Sequence, residues 1–246
     1  MKIIGIIPAR YASTRFPAKA LVDIEGKTMI RRVYEQALKC ASLSEVIVAT
    51  DHPRIYEEIK SFGGKVVMTP TAVRSGTDRC LIAYETLRLK ADYVINIQGD
   101  EPFIQPRQIT LLADLLDGKA ELATLAKKIE NQENLFDANV VKVVIAANGT
   151  GLYFSRQAIP HIRGEAKEDW LKKQDFYKHI GIYAYRTDIL AKFTEMKSAS
   201  LEEAESLEQL RWLENGYQMK VGITTYDSIG IDTAEDLENA LKSRNR

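Results

Sequence analysis

Three cations, Arg10, Arg15 and Lys19, lie in the stretch IPARYASTRFPAK, directly after the first apolar run of the chain. Two guanidinium groups and an ammonium in one irregular loop match the charge of a polyphosphate, which glycine-rich loops hold instead through backbone N–H groups. Ala9, Ala12 and Ser13 are small enough to let a ligand approach the main chain. A solvated basic loop would use the same residues, and position after a strand favours the phosphate reading. A second set is acidic. VINIQGDEP puts Gln98, Gly99, Asp100 and Glu101 after another apolar run, and GIDTAEDL holds Asp232, again read at the end of a strand, just ahead of Thr233 and Asp236, which form a capping box. Carboxylates beside phosphate oxygens suit magnesium, a hard cation that keeps several of its waters. An Asp closing its own turn, and an Asp stabilising a helix start, are the competing readings of Asp100 and Asp232.

The elements that would position these residues follow an α/β rhythm. KIIGII reads as a strand buried on both faces, GKTMIRRVYEQALKC as a helix, EVIVAT as a strand, and RIYEEIKSFG as a helix stopped by Gly63 and Gly64. KVVMT, TDRCLIAYETLRL and DYVINI continue as strand, helix and strand. The alternation predicts a mainly parallel sheet with helices on both faces, whose ligands bind beyond the carboxyl ends of the strands. In the second half ELATLAKKI, VVKVVIA, GLYFS and QMKVGITTY read as strands. SLEEAESLEQLRWLENG reads as one helix ended by Gly216, and DTAEDLENALKS as a closing helix. One domain over residues 1–246 is expected, with an inserted subdomain at about 130–195.

Composition removes several classes of function. Lys plus Arg and Asp plus Glu both number 34 in 246 residues, so net charge is zero and no broad electrostatic surface for nucleic acid or membrane is expected. Cys40, Cys80, His52, His161 and His179 give no zinc-ligand spacing and no disulfide framework. GKT at Gly26–Thr28 would end a P-loop only if residue 21 were Gly, and it is Leu21; nor does a G-x-G-x-x-G follow the first strand. The charged, apolar N-terminus is too short for a signal peptide, and no stretch approaches a membrane span, so a cytoplasmic protein is expected.

IIPARYASTRFPAK, VATD, SGTDR, NIQGDEP, NVVKVV, LYFSR, HIGIYAYR, LEQLR and GIDTAEDL occur in this order over nearly the whole chain. Together they closely resemble the 3-deoxy-manno-octulosonate cytidylyltransferases, the CMP-Kdo synthetase family of lipopolysaccharide biosynthesis. The resemblance implies a Rossmann-like nucleotidyltransferase fold, a homodimer, magnesium as cofactor, and a reaction that joins CTP and Kdo into CMP-Kdo and pyrophosphate. It places Arg10, Arg15 and Lys19 on the phosphates, with Ala9 and Ser13 framing the nucleotide. Arg74, Ser75, Thr77 and Arg79 would lie near the cytidine or triphosphate, and Gln98 between nucleotide and sugar. Asp100 and Asp232 would hold magnesium, with Lys19, Arg10 and the two Asp residues carrying catalysis. Arg156, His179, Tyr183, Glu208 and Gln209 would line the sugar pocket. These types suit a carboxylated sugar: Arg offers a fork for the carboxylate, and the others hydrogen-bond hydroxyls. Structural roles in packing or on a solvated helix face are the alternatives for Tyr183, Glu208 and His179.

The chain departs from the usual family pattern at Ala18 and Ala20, where Gly and Pro are common, at Asp78 for Glu, and at Ala234 for Pro. A related ulosonic acid, such as an 8-amino analogue of Kdo or a sialic-acid-like sugar, is the alternative acceptor. A sugar 1-phosphate acceptor would instead require a phosphate site in the sugar pocket. A non-catalytic nucleotide-binding module is the reading from outside enzymes, and it leaves Asp100 and Asp232 unexplained.

Overall fold

The computed structural model describes residues 1–13 and 15–244, with no side-chain description for 243 and 244. The first apolar run forms β1 (Ile3–Ala9), whose Ile3 and Ile7 enter one core while Ile4 and Ile6 enter the other. A strand with two buried faces must be covered by helices on both sides. After a small hairpin, β2 (Asp23–Ile24) and β3 (Lys27–Thr28), come α1 (Met29–Leu38), β4 (Glu45–Thr50), α2 (Pro53–Ser61), β5 (Val66–Met68), α3 (Gly76–Thr86) and β6 (Tyr93–Asn96). Strands β4 and β6 flank β1 in parallel, and β5 adds outside β4. Helices α1 and α2 cover one face, with Val33, Tyr34, Ile55 and Ile59 in its core, while Cys80 and Ala83 of α3 pack on the other.

The second half extends the same sheet. It contains α4 (Pro106–Asp114), β7 (Leu122–Lys128), α5 (Gln132–Phe136), β8 (Lys142–Ile145), β9 (Gly151–Ser155), α6 (Trp170–Lys173), β10 (Tyr177–Arg186), α7 (Thr187–Glu195), α8 (Ser200–Glu205), α9 (Gln209–Glu214), β11 (Met219–Ile223) and α10 (Ala234–Arg244). Among the described residues nine strands make one sheet, with the path β11-β7-β10-β6-β1-β4-β5 and the β8–β9 hairpin joined to β10. Strand β10 runs antiparallel to both neighbours, β6 and β7, whereas β11 is parallel to β7. The expected mainly parallel mixed sheet with helices on both faces is thus what forms. Ile129, Leu135, Trp170 and Phe176 build a small apolar cluster apart from the two main cores. Among the described residues no helix is long and apolar enough to cross a membrane.

Two expectations require correction. The segment 200–216 is two helices, because Ser206 takes left-handed φ and ψ of 52° and 49° and the Leu207 N–H returns to the Glu202 carbonyl at 3.2 Å. That six-to-one bond closes a helix, and the helical apolar spacing on either side conceals it. Asp232 does not lie at a strand end, since β11 stops at Ile223; it sits in the loop that leads into α10. The capping box there does form: Asp236 N–H donates to Thr233 Oγ1 at 3.1 Å, and Asp236 Oδ2 accepts from Thr233 N–H at 2.8 Å. The Asp232 carboxylate is therefore not needed as the cap.

Ala18 has φ 53° and ψ 29°, a left-handed conformation that costs an L-residue with a Cβ roughly 1–2 kcal/mol. Ala18→Gly should therefore raise unfolding stability by up to about 1 kcal/mol, read as a higher urea midpoint. An unchanged or lower midpoint would show that this loop relaxes the strain in another way.

Candidate active site

The carboxyl ends of β1 and β6, the loop after β1, the start of α3 and the loop before α10 enclose a cleft of about 360 Å³. Its walls carry Ala9, Arg10, Ser13, Arg15 and Lys19 from the first loop, Arg74, Ser75 and Arg79 from the α3 region, and Gln98, Asp100 and Asp232 opposite. Eleven residues singled out from the sequence thus meet around one space. The close packing beneath it depends on Gly99, where a Cβ would stand 2.8 Å from the Pro8 carbonyl oxygen. Backbone contact at that distance excludes a side chain.

Lys19 is the centre of the polar arrangement. Its Nζ donates to Asp100 Oδ2 at 2.8 Å and to Asp232 Oδ1 at 2.9 Å, and Arg15 Nη2 donates to the other Asp232 oxygen at 3.0 Å. Burial pulls the Lys19 ammonium toward neutrality, but the two carboxylates outweigh it and hold its pKa above the ordinary lysine value. The loop bearing Asp232 is fixed by the Ile231 N–H, which donates to the Asp100 carbonyl at 2.9 Å, and by Ile231 in a small apolar core. Glu101 is buried outside the cleft lining: burial raises its carboxyl to about 7, a hydrogen bond from Ser228 opposes that shift, and the nearby Asp100 charge adds to it.

The donor set fits a divalent cation. Two carboxylates already hold a cationic ammonium between them, so the position selects positive charge. Among the described residues no group of three or more His, Cys, Asp and Glu could hold a metal, so phosphate oxygens and water would complete the shell. That is a magnesium pattern rather than a closed structural site. Arg10 and Arg74 are exposed and hold no ion pair among the described residues, which leaves both guanidinium groups available to an anion. The α3 N-terminus also faces the cleft through Gly76, with Ser75 as N-cap accepting from the Asp78 N–H at 3.1 Å. Helix starts favour phosphate for the same reason as cations do.

The expected sugar residues form a second group on the α3 side of the sheet. Thr77 joins the two groups: buried in the first turn of α3, it donates to Glu208 Oε2 at 2.9 Å and lies 3.1 Å from the Tyr185 hydroxyl. Burial raises the Glu208 carboxyl despite the bonds from Thr77 and Ser75. The Tyr183 hydroxyl donates to Gln209 Oε1 at 3.2 Å, and the Tyr183 ring lies 5.3 Å from that of His179. His179 Nε2 meets Thr124 Oγ1 at 2.9 Å, and burial lowers the imidazole pKa to about 3. His179 is therefore neutral at physiological pH and serves as a hydrogen-bond partner, not as an acid. The helix break at Ser206 is what turns Glu208 and Gln209 onto this face.

Arg156 stands at the edge of that group. Its Nε donates to the Glu205 carbonyl at 2.7 Å, Nη1 to Ala138 O at 3.1 Å and Nη2 to Ser206 O at 3.4 Å. Three of its five N–H donors are thus used, and one remains on each terminal nitrogen. Fully buried Lys142 fixes the same corner by donating to the carbonyls of Asp137, Val140 and Arg156 at 2.8, 2.5 and 2.6 Å. Lys142, Thr124 and Asp51 were not singled out in the sequence for a role. NVVKVV and VATD contain two of them, but an isolated charge within or just after a strand gives no sign of what it will face.

The comparisons with known proteins agree with this geometry. Residues 4–223 match the family model described as "Cytidylyltransferase". A 3-deoxy-manno-octulosonate cytidylyltransferase of Cytophaga hutchinsonii is 57% identical over 238 residues, covering 96% of this chain and 95% of that protein. One from Parabacteroides distasonis is 54% identical over 246 residues, covering 98% of this chain and 97% of its own. Among solved structures, a CMP:2-keto-3-deoxy-manno-octonic acid synthetase complexed with CTP superposes with a TM-score of 0.92 at 40% identity, with both chains fully covered. A cleft with three cations facing two carboxylates, in a chain so close to these proteins over its whole length, places it in the cytidylyltransferase family, among the 3-deoxy-manno-octulosonate cytidylyltransferases.

Proposed function

We propose that the protein transfers the cytidylyl group of CTP to 3-deoxy-D-manno-octulosonate (Kdo), giving CMP-Kdo and pyrophosphate for lipopolysaccharide assembly. The observation that carries this reading is the junction at Thr77. A cation-rich cleft with two metal-competent carboxylates abuts a cluster of hydroxyl-binding side chains, so nucleotide and sugar can be held side by side. The named relatives and the CTP-bound structural neighbour support the same substrates. A homodimer is part of the proposal on the strength of the family resemblance alone, and a cytoplasmic setting is part of it on the sequence pattern.

In this reading the anomeric hydroxyl of Kdo attacks the α-phosphorus in line, and the bond to the pyrophosphate oxygen breaks. Arg10, Arg15 and Lys19 offset the charge that gathers on the departing pyrophosphate, and Arg74 and the α3 N-terminus help to hold the phosphates. Asp100 and Asp232 would hold magnesium, which when bound supplies Lewis-acid polarisation of a phosphate oxygen. Ser13 and Ala9 leave room for the nucleotide beside the main chain, and Gln98, which lines the same cleft, would sit between nucleotide and sugar. His179, Tyr183, Glu208 and Gln209 orient the sugar through its hydroxyls. Arg156 offers its two remaining N–H donors to the sugar carboxylate.

The chain's own chemistry argues for direct transfer. Cys40 and Cys80 are buried away from the cleft, and burial raises the Cys80 thiol far above its ordinary range. Ser13 and Ser75 have no His among the residues lining the cleft to activate them. Positioning and charge compensation are then what the protein contributes.

Pyrophosphate release with CTP and magnesium should be seen with Kdo, and not with UTP, without divalent metal, or with a sugar 1-phosphate. Release with an 8-amino Kdo analogue or a sialic acid instead of Kdo would keep the chemistry and reassign the acceptor. In the same assay Arg156→Lys should raise the KM for the sugar acid on the order of 10-fold or more, with the KM for CTP within about 2-fold, since Lys cannot keep both the carbonyl contacts and a carboxylate fork. Equal changes in both constants would remove Arg156 from the sugar side.

A further inference from the structure

Against the nucleotide half of the cleft lies an ion pair for which the transfer reaction has no direct use. Asp51 follows the end of β4, and its Oδ2 accepts from Arg79 Nη2 of α3 at 3.1 Å, with the two side chains 4% and 5% exposed. The other Asp51 oxygen, Oδ1, accepts from the Tyr11 backbone N–H at 3.0 Å. Arg79 Nη1 donates to Thr69 Oγ1 at 2.5 Å and to the Pro70 carbonyl at 3.4 Å. Four segments at the carboxyl edge of the sheet therefore meet at one point: the loop after β1, the end of β4, the link beyond β5, and α3.

The neighbours of these anchor points are the proposed phosphate contacts. Arg10 immediately precedes Tyr11, while Arg74, Ser75 and Gly76 lie between Pro70 and Arg79. Tyr11 is held a second time, by stacking on His52 with centroids 3.7 Å apart and by the hydrogen bond that its hydroxyl accepts from Arg54 at 2.7 Å. A carboxylate so close to a triphosphate site would by Coulomb's law oppose the ligand. Its charge is instead compensated by Arg79, and both its oxygens are used on the protein.

We propose that Asp51 is a positioning residue for CTP: through Arg79 and the Tyr11 N–H it sets the spacing between the cationic loop after β1 and the first turn of α3. This rests on the reading of the cleft as the CTP site. Arg79 acts in it as the partner that fixes the frame, with its guanidinium already committed to Asp51, Thr69 and Pro70. A well-packed apolar pair can replace a buried ion pair with little loss of stability, so positioning and stability can be separated.

The test is CTP affinity by calorimetry with magnesium present, together with the thermal midpoint and the KM for the sugar acid. Wild type is compared with Asp51→Asn and with the double variant Asp51→Leu/Arg79→Met. Asp51→Asn should weaken CTP binding about 10-fold or more and leave the KM for the sugar acid within about 2-fold, although loss of a negative charge beside a triphosphate would alone tighten binding. The double variant should regain thermal stability without regaining CTP affinity. Unchanged or tighter CTP binding in Asp51→Asn overturns the proposal, as does recovery of affinity along with stability in the double variant. If the double variant does not fold, the Asn variant decides. A wild-type protein that binds no CTP would instead refute the nucleotide reading, a result distinct from weakness in the variants alone.

Discussion

The Lys19 ammonium, 2.8 Å from Asp100 and 2.9 Å from Asp232, joins three segments that are remote in sequence: the loop after β1, the end of β6 and the loop before α10. Without that cation two carboxylates would face each other across a few ångströms, and the cleft would open by their repulsion. With it, the same carboxylates are held close and directed at one point. In the proposed reaction the geometry that closes the resting protein would also serve a divalent cation and a triphosphate. The remaining architecture serves to bring these three segments to one edge.

The sheet does this through a particular insertion. Parallel strands β1, β4, β5 and β6 bring their carboxyl ends together, which is where α/β folds place anionic ligands. Strand β10, antiparallel between β6 and β7, then lays Tyr183 opposite Asn96 and continues the floor away from the nucleotide. Helix α9 starts only after the left-handed Ser206, so its N-cap Glu208 and its first residue Gln209 reach that floor. Thr77 and Tyr185 close the seam. In the proposed reaction one half would bind charge and the other hydroxyls, and a single helix turn is common to both.

Legibility in the sequence followed the range of the forces involved. Strands β1, β4 and β6 announce themselves by continuous apolar runs, and with them the rule that ligands sit at their ends; Arg10, Lys19 and Asp100 were found from that alone. Asp232 was found as an acid spared by a local capping box, but its setting was misread, because the extent of β11 depends on pairing with β7 and not on local pattern. His179, Tyr183, Glu208 and Gln209 came only from the family resemblance. Their residue types are equally at home in packing, and the break at Ser206 is hidden within a continuous helical periodicity. The helices α4 and α7 and the full course of β10 were also missed, since their partners lie far along the chain. The roles of Asp51 and Lys142 depend entirely on long-range contacts and leave no local trace.

In the proposed reaction both substrates occupy one continuous site and the sugar hydroxyl attacks CTP directly. The most direct measurement is exchange of labelled pyrophosphate into CTP in the presence of magnesium, with and without the sugar acid. Direct transfer predicts that label enters CTP only when the sugar acid is present. Exchange in its absence would reveal a covalent cytidylyl-protein intermediate and contradict the account.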